Sequence, residues 1–218
     1  MVTSEVYSRV LAIRHGLQQG IAYRIEMPDG DFFVTSSLVV DGLGDSGRID
    51  VFHGGLWKSL PASVVWADQA EMGIAILSIP VELPRLGPIR IGLGGIVLGQ
   101  DIYFLGYPYG FVEEINHSFD LPLPFVKKGV LSQVSPGEYN RFFIDGIYNP
   151  GFAGGPVAFR NVETNALQIA GIIIRSYEVL SPVYSNRGQP TDFAARVDTG
   201  IILAHDIQKA IELWRTGG

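Results

Sequence analysis

At 218 residues, with 47% hydrophobic and 17% charged residues, the chain holds enough apolar material for one large domain or two small ones sharing a core, which excludes a disordered polypeptide. The formal net charge is −6, the only adjacent basic pair is Lys127-Lys128, and no apolar run approaches the ~20 residues of a bilayer span, so neither a nucleic-acid nor a membrane partner is expected. Cysteine is absent, and the start MVTSEVYSRV lacks the charged and apolar regions of a signal peptide, so the expected setting is the cytoplasm, without disulfide or thiol chemistry.

In chain order, GIAYRIEMPDGDFFVTSSLVV (20–40) reads as two strands around a Pro28-Asp29-Gly30 turn. Strand candidates follow at SVVWAD (63–68) and GIAILSIP (73–80). A loop rich in Pro and Gly runs from Val81 to about Gly95. Beyond it come IVLGQDIYFLGYP (96–108), an irregular loop through Pro124, and KKGVLSQV (127–134). RFFIDGIY (141–148), PVAFR (156–160) and LQIAGIIIRSYE (167–178) complete a second set of strands. Only AHDIQKAIELW is clearly helical: Ile207, Ala210, Ile211 and Trp214 fall on one face, Asp206 suits the N-terminus, and Gly217-Gly218 follows. About a dozen short strands, with 27 glycines and 13 prolines spread among them, predict two barrel-like units divided somewhere in 81–95.

Three stretches carry a resemblance, in the right order. FFVTSSLVV (32–40) resembles the segment bearing the catalytic histidine of trypsin-like serine proteases, GIAILSI (73–79) the one bearing the aspartate, and NPGFAGGPV (149–157) the G-x-S-G-G-P loop bearing the nucleophile. GQDIYFLGYPYG (99–110) and KKGVLSQV are similar to second-barrel strands of cytosolic bacterial and HtrA-like members. The resemblance implies an all-β fold of two chymotrypsin-like antiparallel β-barrels, residues 1–88 and 89–218, with a C-terminal α-helix closing the second.

At the three diagnostic positions the pattern breaks. Leu38 stands at the histidine position, Gly73 at the aspartate position and Ala153 at the serine position. The chemistry needs a hydroxyl, a base to take its proton and a carboxylate to orient the base, and these three residues supply none of them. Engineering can produce Ala153 alone; together with Leu38 and Gly73 it points to a natural pseudoprotease. The losses are consistent, because an aspartate buried without its histidine would cost on the order of 3–5 kcal/mol.

The resemblance also implies what survives. Gly151 and Ala153 keep the backbone N–H groups that form the family's oxyanion hole, so a carbonyl or carboxylate oxygen can bind without being attacked; equally, the fold alone can require this loop. Phe152 replaces the aspartate that pairs with a freed N-terminus in secreted trypsins, so activation by cleavage is not expected. Ile147 corresponds to the base of the primary specificity pocket, and Ile173, Ile174 and Arg175 to its wall, which implies an apolar preference unless these isoleucines simply complete the core. The leading expectation is therefore a non-catalytic module for a peptide or protein partner. The alternatives are a structural domain with its cleft closed by Leu38 and Phe152, and a hydrolase with relocated groups, with His53 as its base.

Other constellations are weak. His15, His53, His117 and His205 show no metal-ligand spacing, and GLGGIVLG (92–99) has Val97 where a dinucleotide loop needs glycine, so no cofactor or metal is expected. Ser132 and Asp145 read as structural.

Overall fold

A computed structural model describes residues 2–28, 30–44, 46–68, 73–112, 121–135, 137 and 140–216. Asp29, His117, Gly217 and Gly218, which figure in the sequence reading, lie outside them. A one-turn helix α1 (Ser4–Tyr7) leads into β1 (Val10–His15), β2 (Gln18–Ile25), β3 (Phe32–Ser36), β4 (Gly47–His53), β5 (Leu56–Asp68) and β6 (Ile74–Ser78). These six close into a barrel in the order β1-β2-β3-β6-β5-β4. The expected hairpin is present: Tyr23 pairs with Val34 and Ile25 with Phe32. Its strands read as near-continuous apolar runs because one face fills the barrel and the other packs on neighbouring elements.

The second unit holds β7 (Arg90–Ile91), β8 (Asp101–Gly106), β9 (Phe125–Ser135), β10 (Arg141–Asp145), β11 (Pro156–Arg160), β12 (Leu167–Tyr184) and β13 (Pro190–Asp206). Their order is β11-β8-β9-β10-β13-β12-β7, and a further β11–β12 pairing closes six of them on themselves. Two features differ from the sequence expectation. Ala204–Asp206 belong to β13, so the terminal helix α2 begins at Ile207 and runs to Thr216. Asp206 still serves the helix start, since its Oδ1 accepts a hydrogen bond from the Gln208 N–H at 2.9 Å. The other is the length of β12 and β13, whose distal halves pair only with each other and leave the second unit as a two-stranded arm.

One core spans both units. Ile174 and Leu203 pack with Ile74, Ile76 and Phe32 of the first barrel, and Ile207, Ala210 and Ile211 of α2 join them. Trp214 stacks on Phe32 with ring centroids 4.7 Å apart, so α2 fastens the chain's end to the barrel that begins it. The connecting segment is tied down by buried charges. Arg9 bonds Glu26 at 2.5 Å and the Gly87 carbonyl, Arg24 bonds Asp31 at 2.5 Å and donates to the Pro84 carbonyl, and Glu26 accepts from the Leu86 N–H. Among the described residues no helix is long and apolar enough to cross a membrane.

Candidate functional site

The three family-like stretches meet where the two units face each other. β3 ends at Ser36 and runs into a 3₁₀ turn, Ser37–Val40, which carries Leu38 outward while Ser37, Val39 and Val40 are buried. The Ser37 N–H donates to the Gly73 carbonyl at 2.8 Å, placing Gly73 directly behind the Leu38 turn. The nucleophile-like loop closes the site from the other unit: Ile21 N–H donates to the Ala153 carbonyl at 2.8 Å, Gly154 N–H to Ile173 at 2.7 Å and Ile173 N–H to Gly155 at 2.8 Å. Ser36 Oγ adds a bond to the Ile174 carbonyl at 3.3 Å. The loop's outer end is fixed by the Tyr107 N–H, bonded to the Gly151 carbonyl, and by the Tyr109 N–H, bonded to the Pro150 carbonyl.

Between these elements lies a cleft of about 320 Å³. Leu17, Leu38, Val39, Tyr109, Tyr148 and Pro150 give it apolar walls, Gln18 and Gln19 add amides, and Gly151 and Ala153 bring backbone. No Ser, Thr, His, Asp or Glu is among its described lining residues. The Leu38 side chain is 49% exposed at the rim. Phe152 turns away from the cleft into the second core, edge-on to Phe104 at 5.4 Å. The backbone N–H groups of Gly151 and Ala153 make no hydrogen bond within the described protein, whereas those of Phe152, Gly154 and Gly155 are all used. The loop therefore leaves two donors beside an apolar cleft. Burial, with Asp198 and Glu178 nearby, pushes the Tyr148 hydroxyl up to about 12, so it remains a neutral phenol at ordinary pH.

Gly73 does not line the cleft. Its φ is +64°, and a Cβ there would lie 2.7 Å from Cγ2 of Ile174. A side chain at this position must both adopt the left-handed region and displace a buried, β-branched neighbour. Leu38, Gly151 and Ala153 are thus brought together, with Gly73 behind them.

The expected apolar pocket is arranged differently. Ile147 is 73% exposed, on a turn held by Lys127, whose Nζ donates to the Ile147 carbonyl at 2.9 Å and to Asn149. Burial lowers the Lys127 ammonium's pKa, and it sits 5.1 Å from the centre of the Phe152 ring. Ile173 faces the second unit's core and Ile174 the shared core, because β12 is buried on both faces at this point. Arg175 is exposed and lies over the Tyr177 ring. None of these four residues is among the described residues lining the cleft, whose apolar walls include Leu17, Tyr109 and Tyr148. Leu17, in a glycine-containing turn, was the one available sequence signal, since a leucine is out of place at an exposed turn.

The histidines are scattered. His15 Nδ1 lies 3.3 Å from the Arg48 carbonyl, His53 Nδ1 lies 3.5 Å from Lys58 Nζ at the end of β4, and His205 is buried on β13. None of the three lines the cleft.

The model of the trypsin-like peptidase domain matches residues 25–163, well over half of the chain. Among solved structures, a serine-to-alanine mutant of Rv3671c from M. tuberculosis H37Rv, in an inactive form, is similar at 20% identity with a TM-score of 0.63, covering 98% of this chain and 88% of that one. The HtrA-type protease AlgW with tripeptide is similar at 19% identity and a TM-score of 0.58, covering 98% of this chain and 61% of that one. A search of curated proteins finds no match. The fold and the domain match lead to one conclusion: the chain belongs to the trypsin-like peptidase domain family.

Proposed function

We propose that this chain is a catalytically inactive member of its family that binds an extended peptide or protein segment, as a regulatory or adaptor module. The observation that carries this reading is the cleft itself. It combines apolar walls and two backbone donors unused among the described residues with a described lining free of nucleophile, base and carboxylate. Such a site can hold a carbonyl or carboxylate oxygen and adjacent apolar side chains, but it has no group to remove a proton from an attacking oxygen. Beyond Ile173, β12 pairs with β13 on one side and leaves its other edge for a strand-like ligand, whose backbone bonds need no catalytic group. AlgW, which shares the fold, has been seen with a tripeptide.

A purely structural role with a closed cleft is less well supported, because Phe152 points into the core and Leu38 stays at the rim. Relocated hydrolysis is disfavoured by the position of His53, paired with Lys58 at a strand end outside the cleft. The test is fluorescence anisotropy with a library of labelled extended peptides. Saturable binding of apolar sequences, weakened by Leu38→Asp, is the expected result; binding indifferent to Leu38→Asp would refute this use of the cleft.

A further inference from the structure

The distal arm of β12 and β13 has a sidedness that the cleft does not explain. Val179 pairs with Val197 and Ser181 with Ala195, so these side chains share a face, and Val183 and Phe193 continue it by alternation. Phe193 is 74% exposed, and Val179, Val183 and Val197 are also large exposed apolar groups. The opposite face carries Glu178, Asp192, Arg196 and Asp198, with the exposed Leu180 and Tyr184 among them, and the Glu178–Arg196 ion pair at 3.4 Å satisfies part of that charge internally. A two-stranded ribbon alone is marginal in water, so a long one with a bare apolar face implies cover from elsewhere.

That face runs into a second hollow at the arm's base. A concavity of about 370 Å³ is lined by Phe143, Ile144, Tyr177 and Ile201, with Ser132, Gln133 and Asp145 at its polar side. Tyr177 lies on β12 two residues before Val179 and therefore on the same face, joining the hollow to the stripe. The arm's turn, Ser185–Gln189, is polar and includes Arg187, so the apolar groups lie along the shaft rather than at the tip. A bilayer would meet the polar tip first, and a chain of net charge −6 is repelled by anionic lipid.

We propose that two copies of this chain associate through their arms, each laying its apolar face across the base hollow of the other about a two-fold axis. The stripe from Val179 to Val197 contains no charge, and Asp145, at the polar side of the hollow, is the one ionisable carboxylate among the hollow's described lining residues, so two acidic chains meet with little like charge between them. An arm face about 25 Å long and about 10 Å wide covers roughly 250 Å², well short of the ~800 Å² per partner of a standard interface. Exchange doubles that cover, because each copy both gives an arm and receives one. The expected dimer is accordingly weak, forming in the micromolar range or above. This assignment does not rest on binding in the cleft, since the arm face shares no residue with the cleft's lining.

Sedimentation velocity of the full chain, from low to several hundred micromolar, tests it. A reversible monomer–dimer equilibrium is expected, with its dissociation constant raised at least about tenfold by Phe193→Asp combined with Val197→Asp. Leu180→Lys, on the charged face, should leave it unchanged. Should the aspartates unfold the chain, Phe193→Ser with Val197→Thr is read in the same way. A monomer at every concentration, a dimer indifferent to the apolar-face variants, or an arm-dependent association with phosphatidylcholine–phosphatidylglycerol vesicles in place of dimers would each overturn the proposal.

Discussion

The Cβ of any side chain placed at Gly73 would fall 2.7 Å from Cγ2 of Ile174, so the aspartate-like position of one barrel and strand β12 of the other exclude each other. Ile174 is buried in the shared core, so it can yield to such a Cβ only by disturbing its neighbours there. The packing between the units thus resists any side chain at this position, and placing a carboxylate there is more than a change of one side chain.

Gly73→Asp is therefore expected to destabilise the fold by about 1–3 kcal/mol, from left-handed backbone and overpacking together. The overpacking part should vanish in an Ile174→Ala background, giving a clear coupling in a double-mutant cycle followed by urea denaturation. Additive effects would show that the contact is not the cause.

Gly154→Ala tests the seam from the other side. At φ +81° a Cβ would lie 2.1 Å from the Ile21 carbonyl oxygen and 2.7 Å from Thr35 Oγ1, both on the first barrel. Because backbone cannot yield as a side chain does, a loss of about 3 kcal/mol or more is expected, measured by chemical denaturation. An unchanged midpoint would contradict the close approach.

Arg9 is the principal clamp on the connection between the units. Arg9→Met should cost about 3 kcal/mol, at the lower end for a broken buried pair, because Arg24 remains 3.4 Å from Glu26. Hydrogen exchange should rise most at the Leu86 amide, whose acceptor is Glu26.

Asp206 sets a pH dependence. Burial raises its carboxyl above the ordinary value, while its bonds to Gln208 and Asn140 oppose the shift. The protonated form is thus favoured in the folded state. Its stabilising contribution is complete below the unfolded value of 3.8 and is lost as pH rises through the raised folded value. Asp206→Asn, which keeps an acceptor for Gln208, should gain stability relative to the parent as pH rises from about 4 to 7. Parallel stability–pH curves for the two proteins would refute this.

The parts of the fold legible from sequence are those set by local pattern. The hairpin around Pro28 and the strand PVAFR are marked by turn residues and by apolar runs of the right length. Motif spacing likewise brought Leu38, Gly151 and Ala153 to one place. The arm was hidden because Pro182, Pro190 and the polar SNRGQ turn look like loop, whereas its pairing is fixed by strand contacts begun deep in the barrel. The burial of Ile173 and Ile174 is not legible for a related reason: the two alternate between two cores, and nothing local distinguishes a strand buried on both faces from one lining a pocket.

The most direct test of the central claim is to titrate the wild-type chain with an apolar peptide identified by the anisotropy screen, by calorimetry, and then to analyse the same sample by mass spectrometry after long incubation. Saturable binding with the peptide recovered intact is the predicted result. A peptide cleaved at a defined bond, by a turnover that follows the protein through purification, would contradict it.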